Sequence, residues 1–439
     1  MRTTGSNWGL SWGERWHDSS IRALYLHIPF CKRKCSYCDF ASFATPAGDA
    51  RMHAYADTLI SWVEALSEAG LLADVRTAYL GGGTPTLLGA DLVRLVSCLS
   101  GCIPHIVELT SEANPESLSP TLLDGLVSAG LTRISIGVQS TDDTELRMLG
   151  RIHDASTALS TLRMAVSSGI DVSADLMCAI PFQSAASWRR SLSDVIATGV
   201  GHVSVYPLQI EESTPFWELW ERGEIELDPD SAADRMLEAR SLLMECGFQP
   251  YEVASYARDG AVCEHNVAYW SGIPYLGLGT SAASMLPREA YRHLRGSIEG
   301  FDMRLPDPPD DASRIRIVME AGPNRIAGTT DPSAELEPME LDCEYLGSRE
   351  MVAEDLMLAA RTSDGLGAGL IRAAEEELGA AFAEELDATL KRLVTRGLLD
   401  RDGNGGYIPT QDGWLLGNEL FGALWDLADE DRPILTDRA

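Results

Sequence analysis

The sequence predicts an α/β fold: a partial (β/α)6 barrel followed by a smaller, mainly helical domain of winged-helix type. Three observations predict it. Amphipathic helices ending in glycine alternate with short apolar, β-branched runs through the first 256 residues. A polar, proline-containing region follows. Helical patterns then resume at Ser348 and enclose a DGNG turn. A chain of 439 residues is long enough for about two to three such domains.

The first run is ALYLHI, residues 23–28. Each later run follows a glycine, which suits the left-handed position after a helix. These runs are VRTAYLGGG after Gly70, HIVELTSEA after Gly101 and LTRISIGVQS after Gly130. IDVSADLMCAI follows Gly169, GHVSVYPLQ follows Gly199 and PYEVASY follows Gly247. They are mostly apolar without strict alternation, as expected of strands buried on both faces. Between them, Leu122 with Leu126, and Trp188 with Leu192, Val195 and Ile196, carry helical spacing. Ser119 and Pro120 give an N-cap and a proline at the first helical position. Strand–helix alternation implies parallel pairing through right-handed crossovers. About six units and one further strand are too few for a closed eightfold barrel. A partial barrel and a doubly wound sheet both remain open. In either, chemistry belongs at the C-terminal ends of the strands.

Residues 1–21 form an N-terminal extension in which Trp8, Trp12 and Trp16 recur at helical spacing. An amphipathic turn packed on the body is expected; a lid over the site is the alternative. The barrel takes residues 22–256. Residues 257–347 hold HNVAYW (265–270) and two linker-like stretches, LPDPPDD (305–311) and TTDPSAELEPMELDCE (329–344). Residues 348–439 form the C-terminal domain, read as helix, short strand, DGNG turn, short strand and helix.

Charge and cysteine usage narrow the function. There are 35 Lys and Arg against 66 Asp and Glu, a net charge of −31, which repels phosphate backbones and anionic lipids. In the winged-helix region Lys391, Arg392 and Arg396 are diluted by Glu384, Glu385 and Asp387, so no nucleic-acid partner is expected. No secretory h-region and no run of 18 apolar residues is present, so any membrane contact would be peripheral. Nine cysteines, three of them within eight residues, do not form a disulfide framework and suggest a reducing cytoplasm with one metal site. Cys98, Cys102, Cys178, Cys246 and Cys343 are most simply buried or idle thiols.

The three are Cys31, Cys35 and Cys38, spaced C-x3-C-x2-C in a loop just after the first strand. Three thiolates can bind three irons of a [4Fe–4S] cube and leave the fourth open. Zinc would need a fourth ligand, and His27 in the strand and His53 on the next helix are badly placed to supply it. Zinc, or three unrelated reduced thiols, is the alternative. Lys32, Arg33 and Lys34 partly offset the cluster's negative charge. In GGGTPT (81–86), Gly82 and Gly83 permit close backbone approach and Thr84 adds a hydroxyl. Glu112, Gln139 and Asp175 fall at successive strand ends, Arg151 follows in GRIHD, and Tyr25 and Tyr37 flank the cysteines. Each alone reads equally well as a tight turn, a solvated charge or a core tyrosine.

Together these motifs resemble the radical S-adenosylmethionine (radical SAM) superfamily, and within it the coproporphyrinogen III oxidase-like branch, over roughly residues 22–430. The resemblance implies that S-adenosylmethionine chelates the fourth iron. It implies that Gly82, Gly83 and Thr84 meet the methionine portion, and that Glu112, Gln139, Arg151 and Asp175 bind the methionine and adenosine portions. Tyr25 and Tyr37 match aromatic contacts of the branch. Two activities compete within it: oxygen-independent coproporphyrinogen III dehydrogenase, and heme chaperones of the HemW type, which pass heme to apoproteins. Phe40 stands where the dehydrogenases typically carry a further cysteine. HNVAYW matches the chaperones' H-N-x-x-Y-W signature, and TQDGWLLGNELFGAL resembles the end of their C-terminal domain. The resemblance therefore favours a heme chaperone, with His265, Asn266, Tyr269 and Trp270 toward the heme. Cys263, two residues from His265 in a segment taken as extended, could compete for the iron, and a purely structural corner at HNVAYW stays open. A non-heme adaptor on an inactive scaffold is the third alternative.

Overall fold

The computed structural model describes residues 8–297, 305–320 and 340–429. Its centre is one twelve-stranded sheet. Numbered along that sheet, the strands are β1 Ala23–Ile28, β2 Thr77–Gly82, β3 Glu108–Ala113, β4 Arg133–Gln139, β5 Asp171–Cys178 and β6 His202–Pro207. There follow β7 Gln249–Pro250, β8 Ser255–Ala257, β9 Tyr275–Leu278, β10 Ala283–Pro287, β11 Arg314–Glu320 and β12 Glu340–Leu346. Their order in space is β12-β11-β10-β9-β1-β2-β3-β4-β5-β6-β8-β7.

The strands β1 to β6 are neighbours in chain order and all parallel. A doubly wound sheet would reverse strand order at a switch point; this one does not, and the partial barrel is the arrangement formed. β9 adds a parallel strand beside β1. The run after Gly247 does not make another parallel unit. It splits into β7 and β8, which pair antiparallel beside β6.

The strands alternate more strictly than the sequence reading held. Leu24, Leu26 and Ile28 of β1, and Ile134, Ile136 and Val138 of β4, pack outward into the main apolar core with the helices. Their alternates, Tyr25 and His27, and Arg133, Ser135 and Gly137, face the hollow of the barrel. β5 and β6 repeat this, with Ser173, Asp175, His202 and Ser204 inward and Val172, Ala174, Val203 and Val205 outward. Both faces are buried, but only one is apolar. The inner face is a polar binding wall.

Helix termini follow local chemistry. The Ser119 side chain caps Pro120–Ala129 by accepting from Leu122 N at 3.2 Å. Gly70, Gly130, Gly169, Gly199 and Gly247 adopt φ between 75° and 110°. Gly101 differs: it lies inside the last turn of the helix Ala90–Cys102, which Ile103 terminates.

The stretch read as linker contributes four strands, β9 to β12. LPDPPDD is irregular, as expected. Most of TTDPSAELEPMELDCE lies outside the described residues, but its end belongs to β12, paired with β11. Ile315 and Ile317 of β11 are buried, and alternate with Arg314 and Arg316. The winged-helix reading agrees with the helix Ala368–Thr395 (interrupted at Gly379), the hairpin Leu399–Arg401 and Tyr407–Pro409, and the helix Gln411–Leu415.

The N-terminal tryptophans pack on the body. Trp8 sits against Ala23, Ala268 and Ile273, and Trp16 enters the core of the C-terminal domain. One buried charge network ties three regions. Trp16 Nε1 donates to Asp355 Oδ2 at 2.6 Å, and Arg314 donates to Asp355 at 2.9 and 2.8 Å and to Glu354 at 2.6 Å. Breaking a buried pair strands a charge, whereas replacing both partners by apolar groups is far milder. Asp355→Ala is therefore expected to lower stability by about 3–5 kcal/mol in urea unfolding, and an Arg314→Met, Asp355→Leu double variant by clearly less.

Candidate cluster and ligand cavity

A cavity of about 1020 Å³ runs from the cysteine loop into the barrel. Cys31, Cys35 and Cys38 all line it, and all are free thiols. Parallel pairing of β1 with β2 continues past the sheet end and places the loop. Gly83 N donates to Ile28 O at 2.8 Å, and Thr84 N to Phe30 O at 2.8 Å. Phe30–Cys31 pairs with Phe43–Ala44, which closes the loop on itself. Ser36 holds it from the other side: its N–H donates to Leu149 O, and its carbonyl accepts from Phe216 N, both at 3.0 Å.

The glycine turn is sterically required. A Cβ on Gly82 (φ 109°) would lie 2.5 Å from the His27 ring, and one on Gly83 would lie 2.7 Å from Phe30 O. Thr84 itself is buried. Its Oγ1 stands 3.5 Å from Cys31 Sγ and accepts from Asn114 Nδ2 at 2.8 Å. Arg151 donates from Nη2 to Asn114 Oδ1 at 2.5 Å and to Gly137 O at 2.7 Å, and from Nη1 to Cys35 Sγ at 3.5 Å. Tyr37 lies beside Arg151, and burial raises its phenol well above the ordinary value. Burial likewise raises the Cys31 and Cys38 thiols.

Among the described residues no three His, Cys, Asp or Glu side chains converge to hold a single metal ion. A cubane asks for something different: three thiolates spread around a hollow, each taking its own iron. Three free thiols on one cavity, with a buried guanidinium against one of them, fit that group.

Deeper in the barrel, Glu112 accepts from Tyr79 OH at 2.9 Å and from Gly82 N at 3.1 Å; burial pushes its carboxyl up to about 7. Asp175, also raised by burial, accepts from Ser135 Oγ at 2.9 Å. Gln139 ends β4 in the left-handed region (φ 66°) and lines the cavity. Tyr25 stacks on Tyr79 with ring centroids 6.3 Å apart, and its hydroxyl meets His27 Nδ1 at 3.0 Å.

HNVAYW is not extended. It lies in the short helix Glu264–Trp270, with Cys263 as N-cap. Glu108 on β3 accepts from Glu264 N at 2.8 Å, His265 N at 3.1 Å and Cys263 Sγ at 3.3 Å. Same-side geometry for Cys263 and His265 therefore does not come from an extended chain. His265 is buried, stacked on Tyr79 at 5.2 Å and edge-on to Tyr269 at 4.7 Å. Its Nδ1 pairs with Thr77 Oγ1 at 2.9 Å, while Nε2 has no protein partner. Asn266 and Tyr269 also line the cavity. Trp270 does not: its ring lies 5.3 Å from the Arg361 guanidinium of the C-terminal domain.

The sequence reading passed over Asn114, Tyr79, Thr77 and Glu108. Tyr79 on β2 pairs with Tyr25, Thr77 lies two residues before Tyr79 and pairs with Glu108 on β3, and Asn114 is two residues past Glu112. A period-two count from Glu112 finds Thr110, Glu108 and Asn114.

The radical SAM superfamily model matches residues 25–195, from β1 through the helix Ala185–Ile196. A bovine protein called radical S-adenosyl methionine domain-containing protein 1, mitochondrial, is 38% identical over 63% of this chain and 64% of its own, so the chain spans just under two thirds of that relative. The Mycobacterium tuberculosis (H37Rv) protein called heme chaperone HemW is 33% identical over 85% of this chain and 90% of its own. The chain belongs to the radical SAM superfamily, in the branch of HemW and HemN. The Bacillus subtilis HemW is 29% identical over 92% and 99%. The fold is that of Escherichia coli HemN, a coproporphyrinogen III oxidase, at TM-score 0.70 over 94% and 91% of the two chains and 21% identity. Radical SAM proteins as a family carry a [4Fe–4S] cluster and S-adenosylmethionine, and the superfamily match covers all three cysteines.

Burial lowers His265 from 6.5 to about 3. Its contribution to stability is full above about pH 6.5 and is lost as pH falls toward 3, because the unfolded chain takes up a proton that the folded chain refuses. Between those limits the slope is about 1.4 kcal/mol per pH unit. Chemical denaturation from pH 7 to pH 4.5 should show this loss, and His265→Gln should flatten the curve by that amount.

Proposed function

We propose that this radical SAM protein is a heme chaperone, which binds heme as cargo and delivers it to recipient apoproteins. Cys31, Cys35 and Cys38 hold one [4Fe–4S] cluster. Gly82, Gly83, Thr84, Glu112, Gln139, Arg151 and Asp175, with Tyr25 and Tyr37, form the S-adenosylmethionine side of the cavity. When bound, the cluster supplies an electron and an open iron for the amino and carboxylate groups of that ligand.

The observation that carries the heme reading is the unpartnered Nε2 of His265. Burial keeps the ring neutral at physiological pH. Thr77 holds the other ring nitrogen at 2.9 Å, as second partners do for metal-bound histidines. That leaves Nε2 as the imidazole nitrogen without a partner, on a ring that borders the cavity together with Asn266 and Tyr269. Trp270 supports the helix through Arg361 instead of facing heme. Cys263 is engaged with Glu108, which favours the imidazole over the thiol as the iron's ligand. The share of chain aligned with HemW proteins supports the same role. The protein is read as a cytoplasmic carrier that meets membrane-bound recipients peripherally.

Phe40, largely exposed at the cavity, supports the carrier over coproporphyrinogen III dehydrogenase, since no thiol is present there. The polar inner wall is what favours the dehydrogenase, because it keeps a full set of groups for S-adenosylmethionine.

Two measurements test the proposal. Anaerobically reconstituted protein should hold about four irons and four sulfides per chain, and a Cys31→Ala, Cys35→Ala, Cys38→Ala variant should hold almost none. Heme titration by absorbance should give saturable binding with no conversion of coproporphyrinogen in a parallel anaerobic assay. His265→Ala should alter the heme spectrum and weaken binding at least tenfold, while Cys263→Ser should change neither. Robust decarboxylation would move the assignment to the dehydrogenase.

A further inference from the structure

Resting on the assignment of the cluster to Cys31, Cys35 and Cys38, we propose that Asn114 is a positioning residue that aims Thr84 and Arg151 at the sulfurs of Cys31 and Cys35. The five residues form a continuous chain of polar contacts. Cys31 Sγ to Thr84 Oγ1 is 3.5 Å, and Thr84 Oγ1 to Asn114 Nδ2 is 2.8 Å. Asn114 Oδ1 to Arg151 Nη2 is 2.5 Å, and Arg151 Nη1 to Cys35 Sγ is 3.5 Å.

The direction of each bond is fixed by chemistry. A guanidinium only donates, so the amide must turn its oxygen to Arg151 and its NH2 to Thr84. Thr84 Oγ1 then accepts from the amide, and its own proton is free for Cys31. On the other side, Asn114 and Gly137 O together occupy Arg151 Nη2, which leaves Nη1 for Cys35. One amide thus sends one neutral and one charged donor to two ligand sulfurs. Hydrogen bonds and positive charge at cluster sulfurs stabilise the reduced, more negative state and raise the reduction potential.

The position suits the task. Asn114 follows β3 directly, and Ser117 anchors its main chain: Ser117 N and Oγ donate to Asn114 O at 3.0 and 2.9 Å, and Asn114 N lies 3.3 Å from Ser117 Oγ. His153 braces the same region: it bonds Glu116 Oε2 at 3.2 Å and Val138 O at 3.1 Å, two residues from Arg151.

The test is the midpoint potential of the cluster, read by EPR-monitored titration of full-length, anaerobically reconstituted protein, with iron and sulfide counted in each sample. Asn114→Ala removes both bonds. Asn114→Asp keeps size and the Arg151 contact, but its carboxylate takes the Thr84 proton and adds a negative charge. Both should retain the cluster at a more negative potential than the parent, and Asp should shift it further than Ala. In a Thr84→Val background the Asp shift should shrink. Full clusters at the parent potential in both variants would overturn the role of Asn114 while leaving the cluster in place. Absence of iron from the parent protein would overturn the cluster assignment itself.

Discussion

Two backbone hydrogen bonds beyond the end of the sheet hold the site together. Gly83 N to Ile28 O and Thr84 N to Phe30 O extend the β1–β2 ladder into the loops. They bring a glycine turn against the start of the cysteine segment. That approach tolerates no side chain on the turn, since added carbons would collide with the His27 ring and the Phe30 carbonyl. With the turn docked, Cys31 meets Thr84, Thr84 meets Asn114, and Arg151 closes on Cys35. A soft loop becomes a fixed set of thiols because a rigid sheet edge continues beneath it.

The barrel below is organised by period two. Outward residues build the apolar core with the helices, and inward residues supply carboxyls, hydroxyls and imidazoles. Desolvation in that interior keeps Glu112 and Asp175 high and His265 neutral. Hydrogen-bonded polar groups are what a buried wall can hold without a large desolvation cost. The helix Glu264–Trp270 lies against the starts of β2 and β3 through Thr77 and Glu108, while Trp270 and Ser271 turn outward to Arg361 and Arg15. The HNxxYW segment is thus structural, and it also borders the cavity through His265, Asn266 and Tyr269.

Much of this was legible in the sequence. The cysteine spacing, the glycine turn, Glu112, Gln139 and Asp175 on successive strands and Arg151 in GRIHD pointed to one face of a parallel sheet, and the structure gathers them around one cavity, with Asp175 inside β5 instead of at its end. Trp270 was misplaced because aromatic type says nothing about which side of a short helix it takes. The segment after HNVAYW was read as linker because its proline and acid content masked β11, whose RIRI alternation buries an arginine, Arg314, against Glu354 and Asp355. Such a pairing comes from distant parts of the chain and leaves no local signal. Asn114 was missed for a related reason: its partners, Thr84 and Arg151, lie 30 and 37 residues away.

The central claim is that three thiolates hold an iron–sulfur cube whose fourth iron is open to the cavity. Low-temperature EPR of the reduced protein with and without S-adenosylmethionine addresses it most directly. A single cluster signal is expected, with g-values that shift when the small molecule is added, because it coordinates the free iron. A cluster signal indifferent to that addition, or zinc in place of iron in the anaerobically purified chain, would contradict it.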